Sequence, residues 1–181
     1  RVLNPARRQS FVIMKALEER IELEDFLKTM GGLKGRKRLL LKRIIIRKVA
    51  DAARKMHQAG VNHRDFYLCH FHIMERDWSA WEPGEDFCLP LIDLHRAQIR
   101  DHVPWRWLVK DLGALLFSAI DCGITDRDLV AFLRVYQGED WKKRLQDDVG
   151  FWRDVVSRAA KFYQRHRGEL MKMPGVFRRF L

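Results

Sequence analysis

The stretch Asn62-His-Arg-Asp-Phe-Tyr-Leu-Cys-His70 follows shortly after Gly60 and sets charged and titratable side chains among apolar ones. Its acid, Asp65, stands directly after His63 and Arg64. A buried ion pair and a catalytic base both fit such a stretch, and the tripeptide His-Arg-Asp arises by chance in roughly one chain in fifty of this length. The residues on either side must therefore decide between the two interpretations.

A long helix is predicted before this stretch. From Arg36 to Ala59, apolar residues recur at steps of three and four, and Gly60 stands where a left-handed C-terminal cap is expected. The other face of this helix is basic, which fits a solvated surface as well as a track for phosphate groups.

A β-hairpin is predicted after the stretch, with residues 70–74 and 87–93 as its two extended segments. The turn between them is Glu82-Pro-Gly-Glu85. The second segment ends in an acid, Asp93, which follows Asp65 by 28 residues. Acids at the two ends of one hairpin converge in space, so we expect the two carboxylates to share a site.

The remaining segments predict a mostly helical α+β fold. A buried strand is expected at Ser10–Leu17, a helix at Glu18–Lys28, and a flexible linker at Gly31–Gly35. Pro104 opens an apolar core helix from Trp105 to Ile120, and Thr125-Asp-Arg-Asp128 starts the next helix with a near capping box. We divide the chain into residues 1–35 (hinge strand, short helix and linker), 36–135 (catalytic core) and 136–181 (C-terminal helices and basic tail).

Composition narrows the classes of partner. The 181 residues are enough for one globular domain, and 35 Lys and Arg against 24 Asp and Glu give a net charge of +11. Such a balance implies a polyanionic partner, which could be nucleic acid, an anionic membrane surface or a phosphorylated substrate. The three cysteines form no Cys-x-x-Cys pair, which favours a reducing compartment, and no apolar run approaches the roughly 18 residues that span a bilayer.

Two convergent acids suit phosphoryl transfer. One carboxylate accepts the proton of the attacking hydroxyl, and the other holds the magnesium ion that bridges the phosphates of ATP. Protein kinases carry His-Arg-Asp with an Asn five residues after the Asp, and then Asp-Phe-Gly. Here the fifth residue after Asp65 is His70, and the second motif reads Asp93-Leu-His.

With His63-Arg-Asp-Phe-Tyr-Leu-Cys-His-Phe71 and Ile92-Asp-Leu-His-Arg-Ala-Gln98, the chain closely resembles the lipopolysaccharide core heptose(I) kinases of Gram-negative bacteria. The resemblance runs from about Ser10 to Tyr136. It implies the C-terminal lobe of a kinase-like fold, ATP and Mg²⁺ as cofactors, and the lipopolysaccharide inner core as substrate. In that family His at the fifth position and Asp-Leu-His look normal, so these departures bear on the number of metal ions more than on activity.

The resemblance also implies roles for single residues. Asp65 is the general base within a catalytic loop that includes His63 and Arg64, and Asp93 is the magnesium ligand. Asp111 braces the catalytic loop. Imidazole suits magnesium poorly, so we expect His70 to organise the loop by hydrogen bonding or to lie beside the phosphates of the nucleotide. A hinge strand meets adenine through the backbone around Lys15 to Leu17, including Met14, and Arg96 and Arg100 are weaker candidates for binding the anionic acceptor.

We further expect a cytoplasmic enzyme, peripheral to the inner membrane, with an acidic protein as a further partner and no nucleic acid. The anionic membrane surface accounts for the positive charge. A kinase also needs a phosphate-gripping lysine and a glycine-rich loop before the hinge. Gly31-Gly-Leu-Lys-Gly35 comes after it, so we expect an additional N-terminal β-rich lobe of on the order of 80 residues, without which residues 1–181 are inactive.

Alternative interpretations are open for several residues. Asp65 and Asp93 fit a plain ion pair and a strand-end cap, and Arg96 and Arg100 fit ordinary surface charge. A zinc site drawn from Cys69, His70, His72 and His95 is disfavoured, because neighbours along a strand face opposite ways. Two alternatives concern the whole protein: a non-enzymatic basic module that binds nucleic acid or an acidic protein, and a kinase of the same fold that acts on a protein or small molecule.

Overall fold

A computed structural model describes residues 20–178. The predicted strand at Ser10–Leu17 and the proposed adenine-binding residues Met14, Lys15 and Leu17 lie outside the described residues. The elements in chain order are β1 Arg20–Glu22, α1 Leu23–Thr29, α2 Gly35–Gln58, β2 Val61–Asn62, β3 His72–Met74, α3 Glu75–Ser79, β4 Gln98–Ile99, α4 Trp105–Ile120, α5 Asp126–Gln137, α6 Trp141–Asp147, α7 Val149–Arg167 and α8 Gly175–Arg178. The mostly helical α+β fold is thus confirmed. None of the helices among these residues has the length and apolarity that a bilayer crossing requires.

Helix α2 supports the first of two hydrophobic clusters. Its buried residues Leu41, Ile45, Val49, Ala53 and His57 follow one another at four-residue steps, which places them on a single face. The apolar residues of this face share one hydrophobic cluster with residues of α1, β3 and the segment that follows β2, and α2 also packs against α5. Each fully buried Leu or Ile in such a cluster contributes about 1.5–3 kcal/mol.

Gly60 ends this helical region as expected. Its φ angle of +74° lies in the left-handed region, and a Cβ atom there would come within 1.8 Å of the Arg100 carbonyl oxygen. The Gly60 carbonyl in turn accepts a hydrogen bond of 2.9 Å from the Arg100 amide. Only glycine fits this close approach, which brings β4 alongside β2.

Two predictions about strands are wrong in detail. The helix expected from Glu18 begins instead at Leu23, after β1, and β1 pairs antiparallel with β3. The expected hairpin is also interrupted, because α3 follows β3 directly. The second predicted segment joins the first through the single bridge Phe71–Leu91 and two flanking hydrogen bonds, so the two still run antiparallel up to Asp93.

The second hydrophobic cluster lies between α4, α5, α7 and α8. Helix α4 begins directly after Pro104, as predicted, and is buried along much of its length. Thr125 and Asp128 form the reciprocal hydrogen bonds of a capping box at the start of α5, which bears out the sequence signal. Asp128 also pairs with Lys42 of α2 at 2.7 Å, so this helix start is tied to the first cluster.

Candidate active site

A buried acid on α4 holds the loop that carries Asp65. The side chain of Asp111 is fully buried, and its two carboxylate oxygens accept hydrogen bonds of 2.7 Å from the backbone amides of His63 and Arg64. Arg64 has a positive φ angle of 77°, which is uncommon for a residue with a side chain. The two charge-assisted hydrogen bonds therefore hold this loop, with its uncommon backbone angle, against α4.

His63 connects this loop to the segment that carries Asp93. Its ring is fully buried, and its Nε2–H donates a hydrogen bond of 3.0 Å to the carbonyl of Ile92, the residue before Asp93. Burial lowers the pKa of His63 below its usual value. The imidazole is therefore neutral at physiological pH and acts as a fixed link between the two loops.

His70 lies between the two acids. Its Nδ1–H donates a hydrogen bond of 2.6 Å to the carbonyl of Asp65, and its Nε2 lies 3.5 Å from a carboxylate oxygen of Asp93. The ring stacks on that of His63 at a centroid distance of 5.7 Å. The structure thus brings the loops of Asp65 and Asp93 together around His70, whose side chain is hydrogen-bonded to the Asp65 loop, stacks on His63 and faces Asp93.

The side chain of Asp65 is 17% exposed and lies between two cations. The Arg96 guanidinium is 2.9 and 3.0 Å from its two oxygens, and the Lys110 ammonium is 4.0 Å from one of them. The resemblance places Lys110 with Asp111 and Leu112 on the helix beneath the catalytic loop but implies no contact with Asp65, which lies 45 residues earlier. Burial lowers the pKa of Lys110, and the attraction of Asp65 opposes this effect.

Arg96 and Arg100 differ in their positions. Arg96 extends from the loop after Asp93 to the proposed base. Arg100 instead donates hydrogen bonds to Asn62, at 2.5 Å, and to Gln98, which joins β2 to β4. Of these two candidates for acceptor binding, only Arg96 contacts a proposed catalytic residue.

Asp93 offers the ligand type that magnesium prefers. Its backbone is left-handed, with φ at 64°, and its side chain is 37% exposed at the end of the bridged segment. One carboxylate oxygen is hydrogen-bonded to His95 and the other faces His70. Magnesium binds proteins through one or two carboxylates with substrate phosphates and water completing its shell, so a single exposed carboxylate fits this ion.

A zinc site is a poorer fit. Burial raises the pKa of Cys69 to about 11, which keeps its thiol protonated at neutral pH. Within residues 20–178, no three His, Cys, Asp or Glu side chains are grouped as a metal-binding set.

Comparison with known proteins gives consistent matches. Residues 2–136 match the model of the Lipopolysaccharide kinase (Kdo/WaaP) family. The lipopolysaccharide core heptose(I) kinase WaaP of Pseudomonas aeruginosa is 42% identical over 170 residues, which cover 93% of this chain and 62% of that protein. The protein of the same name from Escherichia coli is 39% identical over 163 residues, or 90% of this chain and 60% of that protein.

A solved structure of WaaP in complex with acyl carrier protein has a TM-score of 0.73 at 40% identity, covering 90% of this chain and 66% of that chain. The chain spans about 60% of the length of the two curated relatives. The expected resemblance is confirmed by the family match and by the relatives together. This chain belongs to the lipopolysaccharide kinase (Kdo/WaaP) family.

Proposed function

We propose that the protein transfers the γ-phosphoryl group of ATP to a heptose hydroxyl in the inner core of lipopolysaccharide. Family membership and the names of the relatives support a kinase of the lipopolysaccharide core. The observation that carries the proposal is the joining of the Asp65 and Asp93 loops through His63 and His70. A basic module that only binds a partner has no need for two acids held in this way.

Asp65 is the general base in this proposal. As the acceptor hydroxyl attacks the γ-phosphorus, its proton passes to a carboxylate oxygen of Asp65, and the bond to the leaving ADP oxygen breaks. Each carboxylate oxygen has two lone pairs, so the contacts with Arg96 leave acceptor positions free for the hydroxyl. Arg96 thereby orients the base, and Asp111 fixes the backbone beneath it.

Charge on the transferred group needs cations nearby. Asp93 would hold magnesium, which would neutralise charge on the phosphates of the nucleotide. Lys110 adds a positive charge 4.0 Å from Asp65, where the phosphoryl group and the hydroxyl meet. Because Lys110 is only 17% exposed, its charge is weakly screened by water and acts strongly on a neighbouring phosphoryl oxygen.

The division into lobes is part of the same proposal. Residues 36–135 supply the base and the metal ligand, while a hinge around Met14, Lys15 and Leu17 and a separate β-rich lobe of the natural protein supply the adenine and phosphate contacts. We also propose that the protein acts in the cytoplasm at the surface of the inner membrane, where it would meet its lipopolysaccharide substrate. Acyl carrier protein in the solved relative supports an acidic protein as a further partner.

The test is transfer of labelled γ-phosphate from ATP to core lipopolysaccharide by the natural full-length protein. Asp65→Asn removes the proton acceptor but no nucleotide contact, so we expect lost turnover with ATP affinity intact. Asp93→Ala removes a hard oxygen ligand, so we expect weaker Mg-ATP binding. Near-normal turnover in Asp65→Asn, or equal Mg-ATP affinity in Asp93→Ala, would contradict the respective role. Transfer to a protein or small molecule but not to lipopolysaccharide would support a different acceptor.

A further inference from the structure

Arg158 of α7 lies directly against α4 at one of its glycines. A Cβ atom on Gly113 would come within 3.0–3.1 Å of three carbons of the Arg158 side chain. Gly113 and Lys110 are three residues apart on α4, so they are neighbours on one helix surface. Because Lys110 contacts Asp65, the Arg158 side chain crosses α4 about one helical turn from the proposed base.

The positive charge of Arg158 has no anionic partner. Its Nε is buried without a hydrogen bond, and among residues 20–178 no carboxylate lies within ion-pair distance of its guanidinium. Its contact is with the face of the Phe162 ring, at 4.8 Å. Asp154, one turn earlier, accepts a hydrogen bond from the indole of Trp105 instead. Burial of Nε removes its hydration, and no hydrogen bond replaces it unless a ligand supplies an anion.

Space for a ligand lies beside this side chain. A groove of about 260 Å³ lies between α4 and α7 and is lined by Val109, Asp154, Ser157, Arg158, Lys161 and Phe162. Arg158, which lines the groove, is close enough to Lys110 for their charges to interact, so the groove lies near the candidate active site. The electrostatics agree with this placement: burial raises the pKa of Tyr67 in the catalytic loop, and the charge of Arg158 acts against that rise.

We propose that Arg158 binds an oxyanion carried by the acceptor, a phosphate monoester or a carboxylate, and thereby places the acceptor hydroxyl at Asp65. A guanidinium presents paired N–H donors that match both of these anions. The subsite rests on the proposed function, because it requires that the hydroxyl be phosphorylated at Asp65. Arg158 stands on α7 and packs on α4, and neither helix carries the proposed metal ligand Asp93.

The first experiment measures kinetics of the natural full-length protein with core lipopolysaccharide and ATP varied separately. Arg158→Met keeps the aliphatic stem that packs on Gly113 and removes the charge; Arg158→Lys keeps a charge and loses the paired donors. Arg153→Gln removes the same charge from an exposed position of α7 and is the control. We expect Arg158→Met to raise the KM for the acceptor by about tenfold to a hundredfold. The acceptor KM of Arg158→Lys should lie between that of the unsubstituted protein and that of Arg158→Met. The KM for ATP should not change in either variant.

Three kinetic results would overturn the proposal: an unchanged acceptor KM in Arg158→Met, a change in the KM for ATP instead, or an equal change in Arg153→Gln. The second experiment needs no turnover. The Nε–H resonance of Arg158, identified by its loss in Arg158→Met, should shift when inorganic phosphate is added but not with chloride at equal ionic strength. If the resonance does not shift, the anion subsite is wrong, whether or not the protein transfers phosphate to lipopolysaccharide. If the resonance shifts but no phosphate is transferred, the proposed function is wrong and the subsite stands.

Discussion

Substituting Asn for Asp111 tests whether one buried carboxylate holds the catalytic loop. Both of its oxygens accept backbone N–H groups at 2.7 Å, from His63 and Arg64. Asn keeps one acceptor oxygen but turns an NH₂ group toward the second N–H, so one charge-assisted hydrogen bond is lost, which costs about 1.5–3 kcal/mol. Arg64 is then free to leave its positive φ angle, and a shift of Asp65 by roughly 1 Å costs about 10²-fold in rate.

The assay combines urea denaturation, for the free energy of unfolding, with phosphate transfer by the natural full-length protein. Asp121→Asn is the matched control, since Asp121 lies just after the last turn of the same helix and pairs with Arg167 at the surface. Loss of that exposed pair should cost less than about 1 kcal/mol and leave turnover unchanged. If Asp111→Asn matched this control in both measurements, the bracing role of Asp111 would be wrong.

Two further predictions concern histidines. His70→Asn should keep measurable activity, because an amide N–H can still donate to the Asp65 carbonyl; a nitrogen-to-metal distance of about 2.1 Å in a nucleotide-bound structure would contradict this role. Burial lowers the pKa of His63, so the folded protein binds fewer protons than the unfolded chain. The free energy of unfolding should therefore be level above about pH 6.5 and fall as the pH is lowered further, with a shallower fall in His63→Gln. The free energy of unfolding would be measured by urea denaturation at a series of pH values. An equal fall with pH in the unsubstituted protein and in His63→Gln would reject this assignment.

Features with a local sequence signal were predicted well. The four-residue apolar steps of α2, Pro104 before α4 and the capping box at Thr125 each depend on residues within a few positions of one another. The strand partners were not predicted, because an extended pattern at 72–74 does not say which strand pairs with it. β1 was predicted as helix, since three residues are too few for their periodicity to show.

The candidate site likewise combines residues that a local motif reveals with residues that only the fold brings together. Asp65 and Asp93 stand in recognisable motifs, so their place in the chain was available from sequence, and the structure brings their loops together through His70. Neither Lys110 nor Arg158 was assigned a chemical role from the sequence. They approach the site only through helix packing, and a lone lysine or arginine within a helix is indistinguishable from a solvated charge until its neighbours are known.

The contact of Arg158 with Gly113 has an evolutionary consequence. The residues proposed for chemistry lie in the loops of Asp65 and Asp93 and on α4, whereas Arg158 lies on α7. Acceptor preference can therefore diverge by substitutions in α7 while base and metal ligand are retained. Any larger residue at position 113 would push against the Arg158 side chain, so a change at this glycine and a change at Arg158 should be inherited together. Enzymes that take a neutral acceptor should lack both.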